Sequence, residues 1–176
     1  MTDRPDAHAT PRPERPRGGP SQVTDLFGGC ACGQVRYRSR GRTTGCYACH
    51  CTECQTRTGS AFALLLPTTE TDFAVEGDVL AVAQVEGEGQ VARLYACPRC
   101  LTRLYTRNPA WPGLIILRAG TLDDRAELEP AFHIWTRSRQ GWFTLPEGRP
   151  SFETQPYDPA EWRRLLGWPA SELEAD

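Results

Sequence analysis

The eight cysteines of this 176-residue chain lie in three short clusters, and they carry most of the chemistry that the sequence offers. The clusters are Cys30-x-Cys32, Cys46-x2-Cys49-x-Cys51-x2-Cys54 and Cys97-x2-Cys100. Two thiolates one or two residues apart can bind one zinc ion, whereas a disulfide between them would close a strained ring. The spacing therefore favours zinc ligation, with four ligands at a structural site and one position left open at a catalytic site.

The first and third clusters complement each other. A Cys-x2-Cys turn aims two thiolates at one ion, and a pair elsewhere in the chain usually completes such a site. We therefore predict that Cys30, Cys32, Cys97 and Cys100 hold one structural zinc, which would join the start of the domain to its middle.

The middle cluster leaves two alternatives. Cys49, Cys51 and Cys54 lie within six residues and can place three sulfur atoms around one metal ion. If Cys46 is the fourth ligand, the second zinc is closed and structural. If Cys46 does not bind, the second zinc keeps one position for water or substrate.

Composition excludes several functions. The formal charge of −2 gives no basic excess for a phosphate backbone, so no nucleic-acid partner is expected. All 20 basic residues are arginine, which excludes a Schiff-base lysine. No apolar run suits a membrane span, and no secretory signal is apparent. A reducing cytoplasm is the expected location, and it favours metal ligation over disulfides.

Short alternating segments predict a mainly β domain that positions these cysteines. Residues 1–24 are rich in proline and arginine and are predicted to be a disordered arm, followed by a zinc-binding β domain over 25–156. A helix and tail over 157–176 follow, with Asp158 as the cap and Pro159 in the first turn. The predicted strands are 34–38, 61–66 (closed by Pro67), 72–75, 79–85, 91–96, 114–117 and 131–135.

Several separated segments together resemble one known family, the glutathione-dependent formaldehyde-activating enzymes, which share a domain with centromere protein V. The resemblance covers most of residues 28–156. It is carried by 29–37 (GCACGQVRY), 49–62 (CHCTECQTRTGSAF), 97–100 (CPRC), 119–124 (AGTLDD) and 130–135 (PAFHIW).

The resemblance implies an Mss4-like twisted β fold with zinc knuckles and two zinc ions per chain. It also implies that Cys30, Cys32, Cys97 and Cys100 hold the structural ion, while Cys49, Cys51 and Cys54 hold the open one. The chain departs from the family pattern at two positions. Cys46 is an additional cysteine, and Leu101 stands where the family usually has glycine, a residue suited to positive φ.

An open zinc with three thiolates is electron-rich and thiophilic, so it suits a substrate sulfur better than the activation of water. The leading hypothesis is a zinc-dependent carbon–sulfur lyase or synthase that acts on a small thiol adduct such as S-hydroxymethyl-glutathione. One alternative is a family member that uses another electrophile in specialised metabolism. A non-catalytic zinc-stabilised binding module is the other. The oligomeric state is left open.

Other polar residues offer weaker indications. Asp123 is a candidate general acid or base, although the turn sequence around it also explains an aspartate there. Arg57 could hold a substrate carboxylate, or it could be a solvated surface residue. For His50 and His133, packing in the core is the default interpretation.

Overall fold

The computed structural model describes residues 24–41, 45–86, 90–126 and 128–168, and in these residues the chain is mainly β. The first sheet has the order β1-β2-β5 and the second has the order β10-β3-β4-β9-β8-β7-β6. The strands are β1 (Thr24–Gly29), β2 (Arg36–Gly41), β3 (Tyr47–Cys49), β4 (Ala63–Thr69), β5 (Phe73–Glu76), β6 (Leu80–Glu86), β7 (Gln90–Ala96), β8 (Arg103–Arg107), β9 (Leu114–Arg118) and β10 (Phe132–Ile134).

Neighbouring strands are antiparallel except for β10, which runs parallel to β3. Two α-helices accompany the sheets: α1 (Thr52–Thr58) directly after β3, and α2 (Pro159–Leu166) near the end of the described residues. Single 3-10 turns follow β9 at Ala119–Thr121 and β10 at Thr136–Ser138. No helix in the described ranges combines the length and the apolar character that crossing a bilayer requires.

Among the described residues, the buried side chains form two clusters. The first contains Leu66, Leu104 and Leu117 and includes the thiols of Cys30 and Cys97. The second lies under α2 and includes Cys49 of β3. In this second cluster β3 and β10 are held together by aromatic packing.

That packing involves three rings. Tyr47 of β3 stacks on Phe132 of β10 with ring centroids 5.2 Å apart. Trp162 of α2 places its edge against both rings, at 5.3 and 5.5 Å. Because Tyr47 lies only two residues before Cys49, this buried aromatic contact fixes the strand that leads into the middle cysteine cluster.

The predicted helix at the C-terminal end is confirmed. It begins at Pro159, and the Asp158 side chain accepts a 2.8 Å hydrogen bond from the Ala160 amide. Trp162 and Leu166 are its buried residues, so the amphipathic face packs on the sheet. The predicted disordered arm over 1–24 lies outside the described residues except for Thr24, which begins β1.

The strand predictions are confirmed for β2, β4, β5, β6, β7, β9 and β10, with shifts of one to three residues at their ends. One boundary was wrong: Pro67 does not close its strand but lies within β4, opposite Ile116 of β9. The proline is tolerated because β3, the neighbour of β4 on the side away from β9, pairs only with residues 63–65 of β4. The pairing with β3 therefore needs no backbone amide from position 67. The sequence analysis missed β1, β3, β8 and α1.

Candidate metal centres and active site

The turn after β1 and the turn between β7 and β8 bring four cysteines together. The sulfur atoms of Cys30, Cys32, Cys97 and Cys100 all lie within 4.8 Å of one another. The Cys30–Cys32 and Cys32–Cys97 sulfur separations are 3.4 and 3.7 Å. A zinc ion with Zn–S bonds of about 2.3 Å holds its tetrahedral sulfurs about 3.8 Å apart. The four thiols therefore fit one closed zinc site.

Polar groups support this set of sulfurs. The Val35 amide donates to Cys30 Sγ at 3.2 Å, a contact that stabilises a thiolate. Thr102 Oγ1 lies 3.1 Å from Cys100 Sγ and accepts a hydrogen bond from the Ala31 amide at 3.2 Å. Thr102 thereby connects the two turns across a sequence separation of 71 residues.

Leu101 completes the Cys97–Cys100 turn in a left-handed conformation, with φ of 58°. Its amide donates to the Cys97 carbonyl at 3.0 Å, which closes the turn. The side chain is 65% exposed and so gains little from packing. The Cys97–Cys100 turn thus ends at a position with positive φ, which suits glycine. Leucine at this position is strained.

The second group is built from β3 and the start of α1. The sulfur atoms of Cys49, Cys51 and Cys54 lie within 4.8 Å of one another. Cys49 is buried at the end of β3, whereas Cys51 and Cys54 are partly exposed. Cys51 is the cap of α1, and its sulfur accepts a hydrogen bond from the Cys54 amide at 3.3 Å. Three convergent sulfurs that reach solvent fit a zinc ion with one further coordination position.

The three thiols of this group titrate as one unit. Hydrogen bonds from Cys49 and Cys54 lower the pKa of Cys51 far below its usual range. Hydrogen bonds with Cys51 and Cys54, together with burial, raise the pKa of Cys49. The shared hydrogen bonds favour one thiolate within the group, and a bound metal cation would allow all three thiols to ionise together.

Cys46 lies apart from both groups. No group of mutually close ligand atoms in the described residues includes its sulfur. The side chain is fully buried and belongs to the first cluster, with Leu66 and Leu104. Burial raises its pKa to about 12, so the thiol keeps its proton at neutral pH. Its position favours the open alternative for the second group, and its possible ligation stays a prediction for experiment.

Two buried histidines lie behind the second group. His50 Nε2 is 3.0 Å from His133 Nδ1, and both side chains are at most 1% exposed. Burial lowers the pKa of His50 to about 4 and also lowers that of His133. Phe143 covers His50 with a ring-centroid distance of 5.0 Å. The histidines form a neutral, apolar-enclosed pair, and neither belongs to the groups of mutually close ligand atoms found in the described residues.

The two other candidates from the sequence have protein partners. Arg57 is partly buried on α1 and forms a 3.0 Å ion pair with Glu53. Asp123 is half-exposed, and Arg36 contacts both of its carboxylate oxygens. The roles of Arg57 in carboxylate binding and of Asp123 in acid–base chemistry stay predictions.

Two further arginines near the second group were missed by the sequence analysis. The charges of Arg103 on β8 and Arg118 on β9 both act on the Cys54 thiol. Burial lowers the pKa of Arg103 to about 10, and the positive charges of Arg118 and Arg57 act in the same direction. The pairing of β8 and β9 within the sheet places these residues near α1. No local sequence motif therefore indicates their position.

Comparisons with known proteins identify a family for this chain. Residues 25–138 match the family model described as glutathione-dependent formaldehyde-activating enzyme, and they include every cysteine of both groups. A Halomonas elongata protein that carries the same family name is 26% identical over 151 residues, covering 81% of this chain and 96% of its own length.

A crystal structure of a Rhodobacter sphaeroides protein aligns with a TM-score of 0.47 at 15% identity, over 72% of this chain and 98% of that protein. The family match spans more than half of the chain, and its range includes the residues of both cysteine groups. The chain belongs to the family of glutathione-dependent formaldehyde-activating enzymes.

Proposed function

We propose that the protein is a zinc-dependent enzyme that makes or breaks a carbon–sulfur bond in a small thiol adduct. The family connects the chain with glutathione and formaldehyde, so S-hydroxymethyl-glutathione is the first substrate to consider. In the forming direction a thiol adds to the aldehyde carbon, a C–S bond forms, and the thiol proton is balanced by protonation of the aldehyde oxygen. The reverse reaction releases thiol and aldehyde.

One observation carries this proposal: three cysteine sulfurs converge at a partly exposed position, and the fourth nearby cysteine in the sequence is elsewhere. Cys49, Cys51 and Cys54 form the group, while Cys46 is buried in the first cluster. A closed site would need a fourth ligand from the protein, and none is found among the described residues. By contrast, Cys30, Cys32, Cys97 and Cys100 have the four sulfurs of a structural site.

The chain would supply binding and orientation. Zinc, when bound to the three sulfurs, provides a thiophilic position where a substrate thiol is acidified. His50, which lies between Cys49 and Cys51 in the chain, is fully buried and packs against His133 and Phe143. Cys51 and Cys54 face the side that solvent and substrate can reach. Asp123 is proposed as the proton-transfer group only if its pairing with Arg36 opens.

We further propose that the partner is a small thiol, that two zinc ions bind per chain, and that the protein works in a reducing compartment such as the cytoplasm. All eight cysteines are free, and paired thiolates persist as ligands only where they are not oxidised. The net charge of −2 gives no basic excess that would favour a nucleic-acid partner.

The test is a screen of thiols with aldehydes, and of S-conjugates, against wild-type protein and Cys51→Ser. We expect turnover by the wild type and its loss in Cys51→Ser, because that substitution removes one of the three sulfurs. Cys46→Ser is the matched control: it also removes one thiol from the middle cluster and should retain turnover.

Zinc-edge absorption spectroscopy supplies an independent test. Without added thiol, we expect the average zinc to have between three and four sulfur neighbours, because one site has four and the other has three. The catalytic proposal would be contradicted if the wild type had four sulfur neighbours at both zinc sites and Cys46→Ser lowered that number. The protein would then be a zinc-stabilised scaffold.

A further inference from the structure

A guanidinium group lies beside the turn that carries Cys30 and Cys32. Gly29 ends β1 and lies opposite Arg36, which begins β2. A β-carbon built on Gly29 would lie 2.9 Å from Arg36 Cδ and 3.0 Å from its Nη1, so the arginine side chain lies against the Gly29 backbone. Because Gly29 directly precedes Cys30, the guanidinium borders the start of the four-cysteine group.

A carboxylate from another part of the chain holds Arg36 in this place. Arg36 Nη1 donates to Asp123 Oδ1 at 3.0 Å, and its Nη2 contacts Oδ2, so the planar fork uses both oxygens. Asp123 is itself fixed, because its amide donates to the Phe27 carbonyl at 2.9 Å. The preceding residue, Leu122, forms a β-bridge with Gly28. The segment after β9 therefore anchors the arginine from outside the β1–β2 hairpin.

A closed site of four thiolates needs positive charge around it. Four thiolates and one divalent zinc ion leave two negative charges, and groups behind the ligands can stabilise them. The hydrogen bond to Asp123 raises the pKa of Arg36, and the negative charge of Cys30 acts in the same direction. The attraction between two charges is mutual, so the guanidinium also favours the thiolate form of Cys30.

We propose that Arg36 balances the charge of the four-cysteine metal group and that Asp123 is the residue that positions it. In this role the Arg36–Asp123 pair stays closed in the working protein, and Asp123 takes no part in proton transfer. The inference does not depend on the proposed function, because it concerns the four-cysteine group and not the three-cysteine group. Residues 119–124 thereby receive a role in supporting a metal site.

The test measures zinc affinity by competition with a chromophoric chelator, and Cys51→Ser identifies the zinc that belongs to the three-cysteine group. Arg36→Gln should weaken zinc binding at the four-cysteine group by about tenfold and leave the other group within roughly threefold of wild type. Arg36→Lys keeps the positive charge and should stay within roughly threefold of wild type at both groups. High salt should shrink the difference between wild type and Arg36→Gln, because screening weakens charge interactions and not packing.

Asp123→Asn separates positioning from simple charge. If Asp123 only added a negative charge near the thiolates, its removal would tighten zinc binding at the four-cysteine group. If Asp123 holds Arg36 in place, its removal releases the guanidinium and should weaken this binding by about threefold or more. The two roles therefore predict changes of opposite sign. This measurement also keeps the inference testable if Arg36→Gln does not fold, and circular dichroism identifies the folded variants.

Arg40→Gln is the matched control. Arg40 lies on the same strand as Arg36 and also forms an ion pair, with Asp25 at 3.6 Å. At about 3.4 Å per residue it lies roughly 13 Å farther along β2, which exceeds the Debye length of about 8 Å at physiological salt. This variant should retain the wild-type zinc affinity at both groups.

Several results would overturn the inference. One is an unchanged zinc affinity of the four-cysteine group in Arg36→Gln. A second is an equal loss of affinity in Arg36→Lys, because the side chain would then act through its packing and not through its charge. Tighter or unchanged zinc binding in Asp123→Asn would overturn the positioning role. A loss in Arg40→Gln as large as that in Arg36→Gln would also contradict the inference, because any ion pair of β2 would then have the same effect.

Discussion

The side-chain amide of Gln55 donates a 2.7 Å hydrogen bond to the backbone carbonyl of His50, the residue between two of the three clustered cysteines. The same Nε2 donates to the Ser138 carbonyl at 2.8 Å. Gln55 therefore ties the cysteine loop to the segment after β10. Contacts of this kind hold metal ligands in their binding geometry before the metal arrives.

Replacement of Gln55 by leucine should weaken zinc binding at the three-cysteine group while leaving the four-cysteine group unchanged. The substitution removes both hydrogen bonds of Gln55 Nε2, one to the His50 carbonyl and one to the Ser138 carbonyl. Loss of such an outer contact typically lowers metal affinity by about tenfold or more. Competition with a chromophoric chelator measures the two classes of zinc separately.

Gln140→Leu is the control for this prediction. Gln140 Nε2 reaches Gln55 Oε1 at 3.3 Å and does not contact the loop carbonyls, so its removal should change zinc affinity much less. An equal loss of affinity at both zinc classes in Gln55→Leu would show a general loss of stability and contradict the prediction.

A glycine at position 101 should stabilise the protein. Leu101 holds φ of 58°, a conformation that costs a side-chain-bearing residue about 1 kcal/mol or more relative to glycine. The leucine side chain is 65% exposed, so little packing is lost when it is removed. After the entropy cost of glycine, we expect the free energy of unfolding of the zinc-loaded protein to rise by about 0.5 to 1 kcal/mol.

Leu101→Ala separates backbone strain from side-chain effects. Alanine keeps the β-carbon and so keeps the strain at positive φ. It should give no stabilisation, and chemical denaturation of the two variants at one zinc concentration makes the comparison. A gain of equal size with alanine would mean that the exposed leucine side chain itself is unfavourable.

Tyr37 should make the protein sensitive to alkaline pH. Burial raises the pKa of Tyr37 to about 12, and its hydroxyl lies 2.8 Å from Thr121 Oγ1. In the unfolded chain a tyrosine loses its proton near pH 10. The folded state therefore binds more protons between pH 10 and 12, so stability is full below pH 10 and falls as the pH rises through this window. The loss approaches about 2 to 3 kcal/mol.

Denaturation curves measured from pH 8 to 11 test this in wild type, Tyr37→Phe and Tyr157→Phe. Tyr37→Phe should be less stable than wild type at pH 8, because the Thr121 contact is lost, and the difference should shrink above pH 10. Tyr157 is 81% exposed, and its variant should follow the wild type. A constant difference between wild type and Tyr37→Phe at every pH would contradict the prediction.

The cysteine groups were predictable because ligand spacing is a local property of the chain. The cysteine pair at 30 and 32 and the pair at 97 and 100 are each joined by a single turn, and only their mutual contact required inference. The strands in which apolar and polar residues alternate were predictable for the same reason, because this alternation is also a local property of the chain. Pro67 was misread because whether a proline ends a strand depends on how far the neighbouring strand extends, which the local sequence does not record.

The parts that were missed depend on register or on unusual caps. Helix α1 has seven residues, no buried face and a cysteine cap, so it offers neither apolar periodicity nor a standard start signal. Arg103 and Arg118 are 15 residues apart, and the pairing of strands within the larger sheet brings their charges near enough to act on Cys54. Chemistry carried by one loop could be predicted, whereas chemistry assembled across strands could not.

Removal of the Cys46 thiol should leave both zinc ions bound. Cys46 is fully buried in the first cluster, and its sulfur lies outside both cysteine groups. Cys46→Ala should therefore retain two zinc ions per chain and lose about 1 to 2 kcal/mol of unfolding free energy, because a small cavity replaces the buried sulfur. Zinc content by mass spectrometry under native conditions, with denaturation curves, measures both effects.

Cys54→Ala is the matched control for Cys46→Ala, because the same atoms are removed from a cysteine of the same cluster. It deletes one of only three sulfurs and should reduce the zinc content toward one ion per chain. If Cys46→Ala instead loses a zinc ion as readily as Cys54→Ala, the thiol moves to the metal when zinc binds. The second site would then be closed, and a thiol substrate would have no position to occupy.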